Sequence, residues 1–526
     1  MSIYKLVDSR SKYWFIKRKL RYIIKRFIES ATIGIIKNPN IYIQEDSRMS
    51  ESKTEGQKLQ EQLSFKQQTV WEKASEAEIK KGFDFCEEYK NFLSSSKTER
   101  EFTANAEKAA VAAGFVKLGD LIGKKTKLKP GMKVYHINRK KSAVFAVIGN
   151  RPITEGTNIL GSHIDSPRID LKQNPLYEDT ELVYFKTHYY GGLKKYQWLT
   201  LPLALHGAIV KGDGTSIDIV IGESDDDPVF TITDLLPHLA KEQMQKKMSE
   251  AVSGEGLNLL LGSMPYNNDD KLKEKVKLNI LNILNKRYGI VEEDFQSAEL
   301  EIVPAQKAKD VGFDKSLVGG YGQDDRVCAY PALKAVMELG IPERTSLCLL
   351  TDKEEIGSMG NTGAQSSLLP DFLANIIELT EGNYTDLKLR ACLNGSKMLS
   401  ADVNAAVDPN FDNVYEKKNA TFLGRGIVLQ KYTGSRGKYD ASDASAEFVG
   451  EVRKLFNENN IVWQTGELGK VDEGGGGTIA QYAANLGIDV LDCGIAVLSM
   501  HAPFEITSKM DIYMTYKAYK VFCDIK

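Results

Sequence analysis

Between about residues 69 and 125, apolar positions recur at three- and four-residue intervals, first in WEKASEAEIKKGFDFCEEYKNFLSSSK and then in TEREFTANAEKAAVAAGF. That is the period of helices that bury one face. Thr98, with Glu101 three residues on, has the signature of a capping box and places a helix start there. The pattern then shifts to short apolar runs bounded by turn residues, KVYHI (133–137), SAVFAVIG (142–149) and NILGSHID (158–165), which predict strands. Residues 167–315 differ in texture: strand-like LPLALHGAIVKG and SIDIVIGE, an acidic turn SDDDP, and the charged helical stretch KLKEKVKLNILNILNKRYG read as an inserted domain. After it, CAYPALKAVMELG, SLCLLTDKEE, AEFVGEVRKLFNENN, TIAQYAANLG, DVLDCGIAV and DIYMTYKAYKVF alternate strand and helix patterns. This order predicts an α/β fold, a mixed and mostly parallel sheet flanked by helices.

Composition narrows the class. At 526 residues the chain has room for two to four domains. With 42% hydrophobic and 27% charged residues, and 69 basic side chains against 71 acidic ones, disorder and a nucleic-acid footprint are excluded. Six scattered cysteines with no CxxC pair exclude a disulfide framework and a cysteine zinc site, and fit a reducing, cytoplasmic compartment. Residues 1–48 stand apart: eleven Lys/Arg oppose four Asp/Glu, and Ile16, Leu20, Ile23, Ile24 and Phe27 recur at helical spacing. That is the pattern of a membrane-surface helix, although charges interrupt every apolar run short of the roughly 18 residues a span needs. At Met49 the composition changes to MSESKTEGQKLQEQLSFKQQ, which reads as a natural start. The expectation is that Met49 initiates the protein and that membrane contact arises only if residues 1–48 are translated.

Metal ligands in open α/β sheets belong at the carboxyl ends of strands, and five apolar runs end in such residues. His163 follows NIL, and Asp165, two residues on, can accept from the other imidazole nitrogen and fix the tautomer. GGYGQDDRVCAYPAL presents Asp324 and Asp325 at a helix start, where a carboxylate either bridges two cations or caps the helix. LCLLTDKEEIGSMG ends in Glu354 and Glu355, neighbours that point apart in a loop, so that one can bind metal while the other acts as general base. Asp402 lies in LSADVNAAVDP and His501 in GIAVLSMHAP. Two imidazoles among several carboxylates suit a pair of zinc, cobalt or manganese ions. His136, His188 and His206 read as structural, with His238 left open. The glycines Gly474–Gly477, including Gly476 and Gly477, precede the expected helix TIAQYAANLG and would admit substrate backbone, bind an anion or serve as a hinge. Neither a P-loop nor a GxSxG nucleophile motif is present.

SHIDSPRIDLK, YGGLKKYQW, GQDDRVCAYPAL, TDKEEIGSMGNTGAQS, SADVNAAVDPNF, GGTIAQYAANLGIDVLDCG and SMHAPFE, in that order, resemble the aspartyl aminopeptidase family of binuclear metallopeptidases, from about residue 65 to the C-terminus. The resemblance implies a phosphorylase/hydrolase-like metallopeptidase core built from residues 49–166 and 316–526, with residues 167–315 as an inserted β-rich dimerisation domain. It implies two divalent ions, most simply zinc. His163 and Asp402 would hold one, Glu355 and His501 the other, and Asp324 would bridge them; Asp165 would orient His163 and Glu354 would be the base. It further implies peptide substrates with a free N-terminus and a closed tetrahedral dodecamer.

Three departures bear on specificity. DVNAAVDPNF carries Ala405 and Asp408 where the family has histidines; Gln430 replaces the lysine that recognises an acidic substrate side chain; and HLAKE keeps His238 but has Glu242 where the family has a second histidine that reaches a neighbouring subunit's site. A neutral amide forms no charge-assisted bond with Asp or Glu. The competing expectations are a glutamyl-aminopeptidase-like enzyme, an N-acyl amino acid amidase, and a non-catalytic shell protein.

Overall fold

The computed structural model describes residues 53–267 and 271–525. The basic segment 1–48 lies outside the described residues. The chain divides between Lys66 and Gln67 into two units. In the first, Glu55–Leu63 is helical. The Thr54 hydroxyl accepts from the Gln57 N–H, and the Gln57 side chain accepts from the Thr54 N–H in return.

The second unit is built on a nine-stranded sheet in the order Val116–Lys117, Lys133–Asn138, Ser142–Val147, Ser346–Thr351, Asn158–His163, Lys397–Ser400, Asp489–Gly494, Ile427–Gln430, Trp463–Thr465. Its four central strands, from Ser346–Thr351 to Asp489–Gly494, are mutually parallel, and the flanks are mixed. Alternate residues feed two cores. Phe145, Leu160, Leu350, Leu399 and Leu491 pack under the helices Glu76–Ser94, Glu99–Ala112, Gln323–Met337, Ala446–Glu458 and Lys509–Cys523. Val144, Ile159, Leu349, Met398 and Val490 pack on the other face, under Leu368–Glu381 and Asp386–Gly395. Such two-sided burial explains why these strands read as continuous apolar runs. The capping box at Thr98 is formed.

The strands Arg168–Asp179, Leu182–Tyr190, Leu203–Val210, Ser216–Ile221, Leu259–Gly262 and Ala298–Pro304 make a separate antiparallel sheet around Phe185, Trp198, Leu205 and Ile302. The helix Lys275–Tyr288 packs against it. A five-stranded sheet, unforeseen in the sequence, joins Lys309–Val311, Leu317–Gly320, Glu505–Ser508, Ala496–Leu498 and Asn404–Ala405. Two chain segments pass from the nine-stranded sheet into it: Lys397–Ser400 continues to Asn404–Ala405, and Asp489–Gly494 continues to Ala496–Leu498. The run DVLDCGIAV is therefore two strands rather than one.

The glycine run also differs from expectation. Gly475–Gly476 pairs with Gly434–Ser435 in a two-stranded ladder, and the helix after it is only Ala480–Ala484. All six cysteines are free and buried, and among the described residues no helix is long and apolar enough to cross a membrane.

Candidate metal centre

The parallel register places His163 beside Thr351 and Ser400 beside Gly161, so the residues that follow these strands converge at one edge. His163 ends its strand. Glu354 and Glu355 lie in a short 3-10 turn after Lys353, which adopts a left-handed conformation. Asp402 follows Ser400 in the passage between sheets, and Gly494 lies against it; a Cβ there would come within 1.8 Å of the Asp402 carbonyl oxygen. Asp324 lies at the start of Gln323–Met337 with non-helical φ/ψ of −78° and 108°. His501 comes from the loop between Ala496–Leu498 and Glu505–Ser508, with φ of 64°.

Each imidazole turns Nε2 inward and Nδ1 outward. His163 Nε2 is 3.2 Å from Asp324 Oδ1 and 4.0 Å from Asp402 Oδ1. His501 Nε2 is 3.1 Å from Asp324 Oδ2 and 3.5 Å from Glu355 Oε2. One carboxylate thus faces both rings. His163 Nδ1 lies 3.1 Å from the Asp165 carbonyl oxygen and 3.4 Å from its Oδ1, while His501 Nδ1 donates to the Gly192 carbonyl at 2.7 Å. Outer bonds of this kind fix tautomer and ring orientation. Asp165 also accepts from the backbone N–H groups of Glu354 (3.1 Å) and Glu355 (3.2 Å) and from the Tyr190 hydroxyl (2.8 Å). The Arg168 guanidinium lies over the Tyr190 ring, 3.9 Å from its centroid.

Three groups of side chains bring ligand atoms within 4.8 Å of one another: His163, Asp324 and Asp402; Asp324, Glu355 and His501; and His163, Glu354 and Glu355. Burial opposes charge on both imidazoles, yet the Asp165 and Asp324 carboxylates hold His163 well above its ordinary range, and Asp324 and Glu355 carry His501 up to about 10. Asp324 is held well below the carboxylate range, because its bonds to His163 and His501 outweigh its burial. Burial, with Asp324 beside them, drives Asp402 and Glu355 well above it. Burial also pushes Glu354 up to about 7, with Asp165 and Asp324 adding to the effect and His163 opposing it. Buried carboxylates thus outnumber the imidazoles that could balance them, and Glu355 Oε1 is buried with no hydrogen-bond partner. Divalent cations would remove that excess of negative charge. The nitrogen and oxygen donor set fits zinc.

The remaining sequence candidates are Gln430, Gly476, Gly477 and His238. Gln430 is buried at the end of its strand, opposite Asp492. Gly476 and Gly477 are exposed by the Gly434–Ser435 ladder, and His238 is exposed in a turn. None of them belongs to the three groups. Sequence reasoning missed Tyr190, Gly192 and Glu505, although all three lie within or beside motifs it quoted.

A family model described as "Aminopeptidase I zinc metalloprotease (M18)" matches residues 92–523. The "Probable M18 family aminopeptidase 1" of Clostridium acetobutylicum is 53% identical over 86% of this chain and 97% of its own length. The protein of the same name from Thermotoga maritima is 47% identical over 87% of this chain and 99% of its own. The crystal structure of a Thermotoga maritima M18 aminopeptidase superposes with a TM-score of 0.83 at 46% identity, covering 88% of this chain and all of that one. A structure titled as the mApe1 dodecamer of S. cerevisiae, 22% identical with a TM-score of 0.66 over 84% of this chain and 96% of that one, shares the fold.

Proposed function

The chain belongs to the M18 family of zinc aminopeptidases, and from that premise we propose that it removes the N-terminal residue of peptides at a two-metal centre with Glu354 as general base. The observation that carries this reading is Asp324, whose two oxygens each face a different imidazole, 3.2 and 3.1 Å away. His163 and Asp402 would hold one ion, Glu355 and His501 the other, and Asp324 both. Zinc held there supplies Lewis-acid polarisation of the scissile carbonyl and lowers the pKa of water.

The protein's own groups do the rest. Glu354 accepts a proton from the attacking water and returns it to the nitrogen of the leaving amine. Asp165 holds the backbones of Glu354 and Glu355 together with the His163 ring, so base and ligands move as one body. The free α-amine of the peptide would be bound beside the metals and their carboxylates, which confines cleavage to the first bond. Gln430 brings no charge to an Asp or Glu side chain, and the neighbouring Lys431 is exposed and paired with Asp443. An acidic first residue is therefore not a requirement in this reading.

Residues 167–315 form the inserted domain in the same proposal, through which copies of the chain associate. Exposed Leu235, Leu236, Leu239, Met244 and Met248 beside His238 support a covered surface there, as does the dodecamer formed by the S. cerevisiae protein that shares the fold.

The test is amino-acid release from peptides that differ only in their first residue, free or N-acetylated, after chelation and after return of zinc, cobalt or manganese. Activity restored by metal on free peptides alone supports the aminopeptidase reading, and cleavage of acetylated peptides would replace it with an amidase. Release confined to Asp or Glu starts would mean that another group stands in for the missing lysine.

A further inference from the structure

The Glu505 carboxylate is buried between two distant parts of the chain. Its Oε1 accepts from the His501 backbone N–H at 2.8 Å, and its Oε2 accepts from the Asp324 backbone N–H at 3.1 Å. Neither donor has helical backbone angles: His501 lies at φ 64° and Asp324, in the first turn of its helix, at φ −78° and ψ 108°. The Asp324 carbonyl accepts from the Ser166 hydroxyl at 2.7 Å, and Glu505 is the partner of both backbone N–H groups. Glu505 is fixed. It pairs with Gly320 in antiparallel register, and its carbonyl accepts from the Gln323 side-chain amide at 2.6 Å.

We propose that Glu505 is a positioning residue for the metal centre, a carboxylate that sets the backbones of Asp324 and His501 at one spacing so that their side chains share an ion. The inference rests on the two-metal reading above. A carboxylate with one donor on each oxygen spans two backbones without bonding to any ligand atom, which leaves Asp324 Oδ2 and His501 Nε2 free for the cation. Outer partners of this kind change metal affinity by about 10–100-fold when they are lost.

The test uses the full chain with Glu505→Gln, which keeps the shape but turns an N–H toward an N–H, and Glu505→Ala as the second variant. Cobalt stoichiometry, affinity by chelator competition and the visible spectrum are read alongside melting of the metal-free proteins. The expected result is wild-type circular dichroism, with affinity for one of the two ions reduced about 10–100-fold and an altered cobalt spectrum. A lowered melting temperature with unchanged affinity and spectrum would overturn the inference and leave Glu505 a structural residue. If Glu505→Ala does not fold, Glu505→Gln alone decides. A wild-type chain that takes up only one cobalt would overturn the two-metal reading itself, whereas two ions bound equally well by wild type and variants would overturn only the role of Glu505.

Discussion

Glu354 and Glu355 share a peptide bond and an anchor on Asp165, yet their side chains meet different surroundings. Glu355 turns to His501, 3.5 Å away, while burial, with Asp165 and Asp324 adding to it, raises the pKa of Glu354. Glu354→Gln keeps the size and loses the base. We expect kcat to fall by about 10²–10⁴-fold with zinc content unchanged, measured by metal analysis of the same sample; loss of zinc along with activity would make Glu354 a ligand instead. His163, Asp324, Glu355, Asp402 and His501, which the structure gathers, lie where the sequence pattern points, at the ends of apolar runs or at a helix start. That pattern alone leaves Asp324 or Asp325, and Glu354 or Glu355, open, and only the family resemblance chooses between them. Tyr190 and Glu505 are not legible there at all. A tyrosine in a strand and a glutamate after Phe504 look ordinary until long-range pairing brings them to Asp165 and to the Asp324 backbone.

The strands that deliver Asp402 and His501 leave one sheet and enter another, and the crossing is tight at Gly494. Its missing side chain admits the Asp402 carbonyl, which a Cβ would approach to 1.8 Å. Gly494→Ala must therefore push the Asp402 segment away, at a cost of about 1–3 kcal/mol for overpacking. The expected outcome is a lower melting temperature together with weaker zinc binding, whereas an unchanged zinc affinity would mean that Asp402 moves independently of this crossing. Long apolar runs and the Thr98 capping box can be read locally, and the structure contains both. The five-stranded sheet cannot, because it is assembled from pieces of two to four residues held together by pairings between segments far apart in sequence, Leu317–Gly320 with Glu505–Ser508 and Asn404–Ala405 with Ala496–Leu498. Likewise the glycine run looks like a helix-opening loop until Gly434–Ser435 takes up its backbone.

Buried charge ties the six-stranded sheet to the helical layer. His206, on Leu203–Val210, has Nδ1 2.7 Å from Glu101 and Nε2 3.1 Å from Glu223, and Lys97 reaches the same Glu223. Burial opposes its charge, but the two glutamates raise its pKa above the ordinary 6.5. A histidine raised on folding stabilises fully below its unfolded pKa and loses that contribution as pH climbs through the folded value. Removing one member of such a buried set costs about 3–5 kcal/mol. His206→Gln should therefore lower stability by roughly that much at pH 6 and by less at pH 9, as read by denaturant melts at both; an equal loss at the two values would place the whole effect in packing. The sequence marked His206 as structural but could not supply Glu101, which comes from a helix more than a hundred residues earlier.

The buried cysteines carry a different consequence. Cys86, Cys328, Cys348, Cys493 and Cys523 belong to one core of the nine-stranded sheet and Cys392 to the other, while the six-stranded sheet has none. Burial raises the pKa of these thiols, so the native protein offers a thiol-reactive dye almost no nucleophile. The chain thus carries its own spatially resolved reporter: dye uptake registers opening of the peptidase layers and is silent to opening confined to the six-stranded sheet.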